Sequence, residues 1–172
     1  MAVYTIHAVQ RIPVPVQEAW TFFSTPLNLH KITPETMKFV IRTKNLGQKI
    51  YPGQIIEYHV SPLFGIPVYW KTEITEVSDN NYFIDEQRKG PYSIWRHEHY
   101  FKAIDGGVEM TDIVHYKIPY SIFGTLANAI IVKKKLNNIF RYRFYQIEKH
   151  LGSWPGQQPA ITFGVFSRKD AK

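Results

Sequence analysis

Apolar and polar side chains alternate with a period of two along four successive runs in the middle of the chain: Val68–Val77, Tyr82–Arg88, Ser93–Ile104 and Val108–Ile118. Each run predicts a β-strand with one buried and one solvated face. The links Asp79–Asn81, Lys89–Tyr92 and Asp105–Gly107 are short enough for hairpins, the last with a strong Asp-Gly-Gly signal. Weaker alternation over Tyr4–Ile12, Met37–Arg42 and Gln54–Ser61 predicts three more strands. Between the first two of these, Pro15 opens a short helix carrying Ala19, Trp20 and Phe23, and Leu27–Ile32 reads as a second one closed by Thr33–Pro34. Lys44–Gly53 reads as a loop, and the run SPLFGIP after the third of these strands as a Pro/Gly turn.

The period then changes to 3.6. Ile122–Leu151 has no internal proline, with Pro119 before it and Gly152 after it. Leu126, Ile130, Leu136, Phe140, Phe144, Ile147 and Leu151 recur at three-, four- and six-residue steps and predict one apolar stripe. At 1.5 Å per residue the helix would span roughly 45 Å. The order is strand, two short helices, six strands and long helix. It predicts an α+β domain over residues 1–151, with a sheet of about seven antiparallel strands and its helices on one face. Residues 152–172 form a tail in which Ile161–Phe166 is expected either to add a strand or to stay disordered.

Alternation also assigns candidate chemistry to the faces expected to meet the long helix. These faces carry Trp70, then Phe83, Asp85 and Gln87, then Trp95, His97, His99 and Phe101, then Met110, Asp112 and Tyr116; Phe140 stands opposite on the helix. An aromatic wall with a few convergent polar groups is the pattern of a small-molecule site. An unpaired buried polar group costs on the order of 1–3 kcal/mol, so the polar five imply a network or a wet cavity. The same groups could equally form a satisfied network that fixes strand register without a ligand. His97, His99 and Asp112 are the catalytic candidates, a carboxylate orienting an imidazole as general base. His97-x-His99 with Asp85 or Asp112 would make a two-histidine, one-carboxylate metal set. Large aromatics flank that pair, and no metal is expected there. His7, His30, His59 and His150 stand apart and are expected at the surface or locally satisfied; Trp20 is expected to pack the first helix on the sheet and Trp154 to anchor the tail.

Composition narrows the picture. With 172 residues, 44% hydrophobic and 15% aromatic, the chain can bury about 70% of its unfolded surface around an aromatic-rich core. There is no cysteine, and GxSxG, GxxxxGK[ST] and GxGxxG are absent, so thiolate chemistry and the familiar nucleophile and nucleotide loops are excluded and no cofactor is expected. A net charge of +7 raises nucleic acid or an anionic membrane as partners. The basic residues are spread out, however, and the densest run, Lys133–Lys135, covers most of a helical turn rather than one face. A solvated helix is expected, with no nucleic-acid partner. The apolar run Ala127–Val132 is far short of the ~20 residues of a membrane span, so no stable membrane insertion is expected. The start MAVYTIHAVQRIPV lacks a signal-peptide pattern, and a cytoplasmic location is expected.

The segments LNLHKITPETMKF, FGIPVYWKTEI, FIDEQRKGPYSIWRHEHYF, GVEMTDIVHYKIP and IFRYRFYQIEKHL together resemble the START-like SRPBCC superfamily, and within it the branch grouped with polyketide cyclase/dehydrase domains. GPYSIWRHEHYF with MTDIVHY is the specific part. The resemblance implies a helix-grip fold, a curved antiparallel sheet closing on the C-terminal helix around a hydrophobic cavity. It implies a small apolar or amphipathic ligand, lipid-like molecules included, or else a cyclase or dehydratase reaction. Trp70, Asp85, Gln87, Trp95, His97, His99 and Asp112 fall on the branch's recurrent pattern. The pattern leaves open whether they bind, catalyse or hold the sheet, and leaves the oligomeric state open too.

Overall fold

Strict alternation of buried and half-buried residues along Gly107–Lys117 puts Val108, Met110, Asp112, Val114 and Tyr116 on one inner face, and this strand anchors the sheet. The computed structural model describes residues 2–61, 65–119 and 125–166. Its strands are β1 (Tyr4–Ile12), β2 (Val40–Ile41), β3 (Ile55–Val60), β4 (Val68–Ser78), β5 (Tyr82–Lys89), β6 (Ile94–Ile104), β7 (Gly107–Lys117) and β8 (Ala160–Val165). They form one eight-stranded antiparallel sheet in the order β2-β3-β4-β5-β6-β7-β1-β8. Register shifts between β4 and β5 mark bulges, which bend a sheet and increase its twist.

The helix α1 (Val16–Phe23) buries Ala19, Trp20 and Phe23, and its Trp20 meets Phe83 and Phe101 edge-on at 6.0 and 5.5 Å. Two 3₁₀ segments follow, Pro26–Ile32 and Glu35–Met37. The long helix α2 (Thr125–Leu151) lays Val132, Leu136, Phe140, Phe144, Ile147 and Leu151 into the core. The opposite face of β4–β6 is charged, with Arg96 bonded to Glu86 and Glu98 and Arg88 to Glu73. These pairs, half-buried at Arg96 and more exposed at Arg88, keep that face polar.

Two expectations need correction. Met37–Arg42 is not a full strand: Met37 closes a 3₁₀ turn, Lys38 takes a left-handed conformation at φ 46°, and only Val40–Ile41 pairs with β3. Ile130 is 62% exposed and does not belong to the buried stripe. The six-residue step from Ile130 to Leu136 turns about 600°, leaving the two roughly 120° apart around the axis, whereas Val132 sits one clean four-residue step from Leu136. The curved antiparallel sheet is as expected, and of the two outcomes open for the tail the strand is the one found: β8 pairs with β1 and makes the eighth strand. The first part of the predicted helix, residues 122–124, part of the SPLFGIP turn, residues 62–64, and the side chain of Leu126 lie outside what is described.

The returning tail is fastened at two further points. Gln157 bonds the Arg11 backbone through both amide atoms, at 2.7 and 3.0 Å. Trp154 lies against Gly106 of the β6–β7 turn, 3.5 Å from where a Cβ would stand.

Candidate functional site

A cavity of about 190 Å³ lies between the sheet and α2, closed on another side by α1 and the 3₁₀ segments. Most of its wall is apolar. Trp70 and Trp95 meet perpendicularly at 5.4 Å, Tyr92 packs on Trp95 at 4.8 Å, and Tyr58 stacks on Trp70 at 5.9 Å. Ile139 and Phe140 face them from α2, and Leu29 and Ile32 from the first 3₁₀ segment.

The floor is polar, and strand register builds it. Asp85 sits directly opposite His97 across β5–β6, and His99 opposite Asp112 across β6–β7. The bonds run diagonally as well: His97 donates from Nε2 to Asp112 Oδ1 at 3.1 Å, and His99 donates from Nε2 to Asp85 Oδ2 at 3.0 Å. His99 Nδ1 also approaches Asp112 Oδ1 at 2.7 Å, so His99 has a carboxylate at each ring nitrogen. The two imidazoles lie 3.8 Å apart, Phe83 stacks on His99 at 4.1 Å, and Arg143 of α2 brings Nε to 3.7 Å from Asp112 Oδ2. A one-residue slip of β6 would turn both histidines to the outer face, so the site and the register stand or fall together.

Burial and charge divide the two histidines. Burial lowers the His97 pKa, and the neighbouring His99 lowers it further against the pull of Asp112, so His97 is held neutral. Burial would lower His99 too, but Asp112 and Asp85 overcome it and raise the value. For Asp112 burial acts upward, while Arg143 and the two imidazoles hold its carboxyl well below the usual range. The result is that the two adjacent imidazoles are pushed apart, His97 toward its neutral form and His99 toward its charged form.

Of the predicted site residues, Trp70, Phe83, Asp85, Trp95, His97, His99 and Phe140 line the cavity. Five do not. Asp112 stands behind the imidazoles and reaches the cavity only through them. Gln87 folds back on its own hairpin, donating to the Tyr92 carbonyl at 2.7 Å and accepting from the Tyr92 N–H at 3.3 Å. It passes so close to Gly90 that a Cβ there would meet Gln87 Oε1 at 2.3 Å. Phe101 packs into the core on Trp20 and Phe23, and Tyr116 stacks on Tyr4. Met110 borders a separate void of about 20 Å³ beside Phe144 and Ile147. A strand face fixes direction but not how far the cavity reaches: Met110, Asp112 and Tyr116 belong to β7, which lends the cavity no residue although Asp112 and Tyr116 pair with His99 and Trp95 of its lining, and Phe101 lies past His99 toward the β6–β7 turn.

Arg143 was not among the sequence candidates. It lies three residues after Phe140 and so borders the apolar stripe, which was the available signal. The 3₁₀ wall and Tyr92 were missed because irregular segments carry no periodicity. Two buried donors at the cavity, Trp70 Nε1 and Arg143 Nε, lack a hydrogen-bond partner among the described residues.

No family model matches the chain, and neither does any curated protein. Solved structures do. The protein Ms6760 from Mycobacterium smegmatis is similar at a TM-score of 0.64 and 17% identity, over 90% of this chain and 93% of that one. TTHA0849 from Thermus thermophilus gives 0.62 and 16%, over 86% and 96%. Ara h 8.0201 gives 0.55 and 19%, over 87% and 97%. At these identities the likeness is one of fold, and it agrees with the element order and sheet described above. The chain has the START-like helix-grip fold.

Proposed function

We propose that this protein binds a small, largely apolar molecule with one oxygen-bearing polar end in the cavity between the sheet and α2. The observation that carries the reading is the cavity itself, about 190 Å³ with a largely apolar, aromatic wall and a charged floor. An apolar cavity of about 150 Å³ already admits benzene. Burial at about 25 cal/mol per Å² of apolar surface supplies affinity. The partnerless Nε1 donor of Trp70 favours a guest that brings an acceptor oxygen. No described helix is long and apolar enough to cross a membrane.

The test has two arms. Native mass spectrometry of the purified protein is expected to show a co-purifying small molecule. Titration with anilinonaphthalene sulfonate is expected to saturate at one equivalent, with energy transfer from Trp70 and Trp95. Ile139→Trp, which fills the cavity from a half-buried position on α2, should weaken that binding at least tenfold. Unsaturable binding, or an affinity indifferent to Ile139→Trp, would reject the proposal.

One observation favours a second reading, an enzyme of the cyclase or dehydratase kind. The environments of His97 and His99 push their pKa values apart, which is how one site keeps a base and an acid side by side. On this reading the recovered ligand changes mass on incubation with the protein, and His97→Gln binds it but leaves it unconverted.

A further inference from the structure

We propose that Asp85, His97 and His99 form a binding site for one divalent transition-metal ion of the zinc and cobalt class, with a coordination position open to the cavity. This goes beyond the binding of an apolar guest and does not rest on it. His97 gives Nε2 to Asp112 Oδ1 and His99 gives Nδ1 to the same oxygen, at 3.1 and 2.7 Å. Their other nitrogens, Nδ1 of His97 and Nε2 of His99, stand 3.9 and 3.0 Å from Asp85 Oδ2. One donor atom from each of the three residues lies within 4.8 Å of the other two. Two donors bound at about 2.0–2.1 Å to a tetrahedral ion are roughly 3.3 Å apart. The two observed separations bracket that value.

Asp112 supplies the second argument. A metal-binding imidazole characteristically donates its other N–H to a carboxylate, which fixes its tautomer and orientation. Here one buried carboxylate does this for two imidazoles at once, and Arg143 in turn accompanies that carboxylate at 3.7 Å. The aromatics that argued against a metal in the sequence do not intervene. Phe101 packs on Trp20 and Phe23, and Trp95 stands edge-on to His97 at 6.4 Å. His97, His99 and Asp85 all border the cavity, so a guest can reach the ion. The ion's two charges with Arg143, against the two carboxylates, leave one net positive charge. The open position would therefore favour an anionic oxygen.

Chelator-stripped protein titrated with Co²⁺ is expected to take up one equivalent with visible ligand-field bands, and Zn²⁺ should displace it. His97→Ala and His99→Ala should each abolish saturable uptake, and Asp112→Asn should weaken it about 10–100-fold. His7→Ala and His150→Ala, at exposed histidines, should leave it unchanged. The wild-type Co²⁺ form gives a readout independent of any variant's folding: two hyperfine-shifted exchangeable imidazole protons, those held by Asp112. No saturable uptake by the wild type, uptake abolished by His7→Ala or His150→Ala, or absence of the two shifted protons would overturn the site. Anilinonaphthalene sulfonate binding in the same sample separates the two proposals: fluorophore bound without metal uptake overturns only this one.

Discussion

Replacing Asp112 by asparagine keeps the shape of the side chain and removes its charge. The carbonyl oxygen can still accept from His97 and His99, but the amide group would then stand where Oδ2 now lies, 3.7 Å from Arg143 Nε, a donor facing a donor. The Arg143 guanidinium would lose the carboxylate it faces and His99 would keep only Asp85, in a site where Asp112 is 6% exposed. Removing one partner of a buried charged set costs about 3–5 kcal/mol. For a chain of this length each kcal/mol moves the midpoint by roughly 2–4 °C, so Asp112→Asn should melt about 6–20 °C lower at pH 7. Circular dichroism melts in low salt measure this, with Asp105→Asn on the exposed β6–β7 turn as an unaffected control. The carboxylate's pH dependence has a fixed sign. Because the folded-state pKa of Asp112 is depressed, its contribution is full above the unfolded value of about 3.9 and is lost as pH falls through the folded value. The carboxylate's share of the gap between wild type and variant should therefore close in acid, while the His99 share, which Asp112 sustains, is present below about 6.5 and fades as pH rises through the raised His99 value. A shift below about 2 °C at pH 7, or a gap that persists undiminished well below about pH 3.9, would refute the idea that Asp112 holds the floor together.

The two histidines should titrate on opposite sides of the ordinary value of about 6.5 in metal-free protein, with His99 staying protonated above it and His97 staying neutral below it. Long-range nitrogen–proton NMR spectra across pH 4–9 report both rings, and a common midpoint would contradict the assignment. Stability due to His99 is then present below about 6.5 and lost as pH rises through its raised folded value, so His99→Gln should flatten that limb of the stability profile. Truncation after Gly152 removes β8 and leaves the β1 edge unpaired. The shortened chain should melt lower and self-associate more in sedimentation experiments, and an unchanged monomer with an unchanged midpoint would show that β8 is dispensable.

The four inner strand runs were legible because a period of two leaves only one face for Trp70, Asp85, His97, His99 and Asp112, and strand pairing then brought the last four into contact. Three kinds of information were not in the pattern. The cavity stops short of β7, which leaves Met110 and Tyr116 outside it, and position along β6 separates Phe101 from it, although all three share its face. Local hydrogen bonding turned Gln87 onto the Tyr92 backbone, an outcome the nearby Gly90 could have suggested only with the hairpin geometry in hand. Angular drift on α2 carried Ile130 out to solvent, while Arg143, hidden in the charged run RYRFY, turned inward beside Asp112. Irregular segments were the least legible: Lys38 ends a 3₁₀ turn in a left-handed conformation where alternation read as strand.

The carboxylates and imidazoles of the floor belong to ladder-paired β5, β6 and β7, whereas one part of the wall comes from the short 3₁₀ segments, the stretch carrying Phe39 and the loop that carries Ile50. Exchanges at Leu29, Ile32 or Phe39 can therefore recut the outline of the guest without moving a single charged atom beneath it. A lineage of such chains could drift from one guest to another while its electrostatic machinery stayed the same.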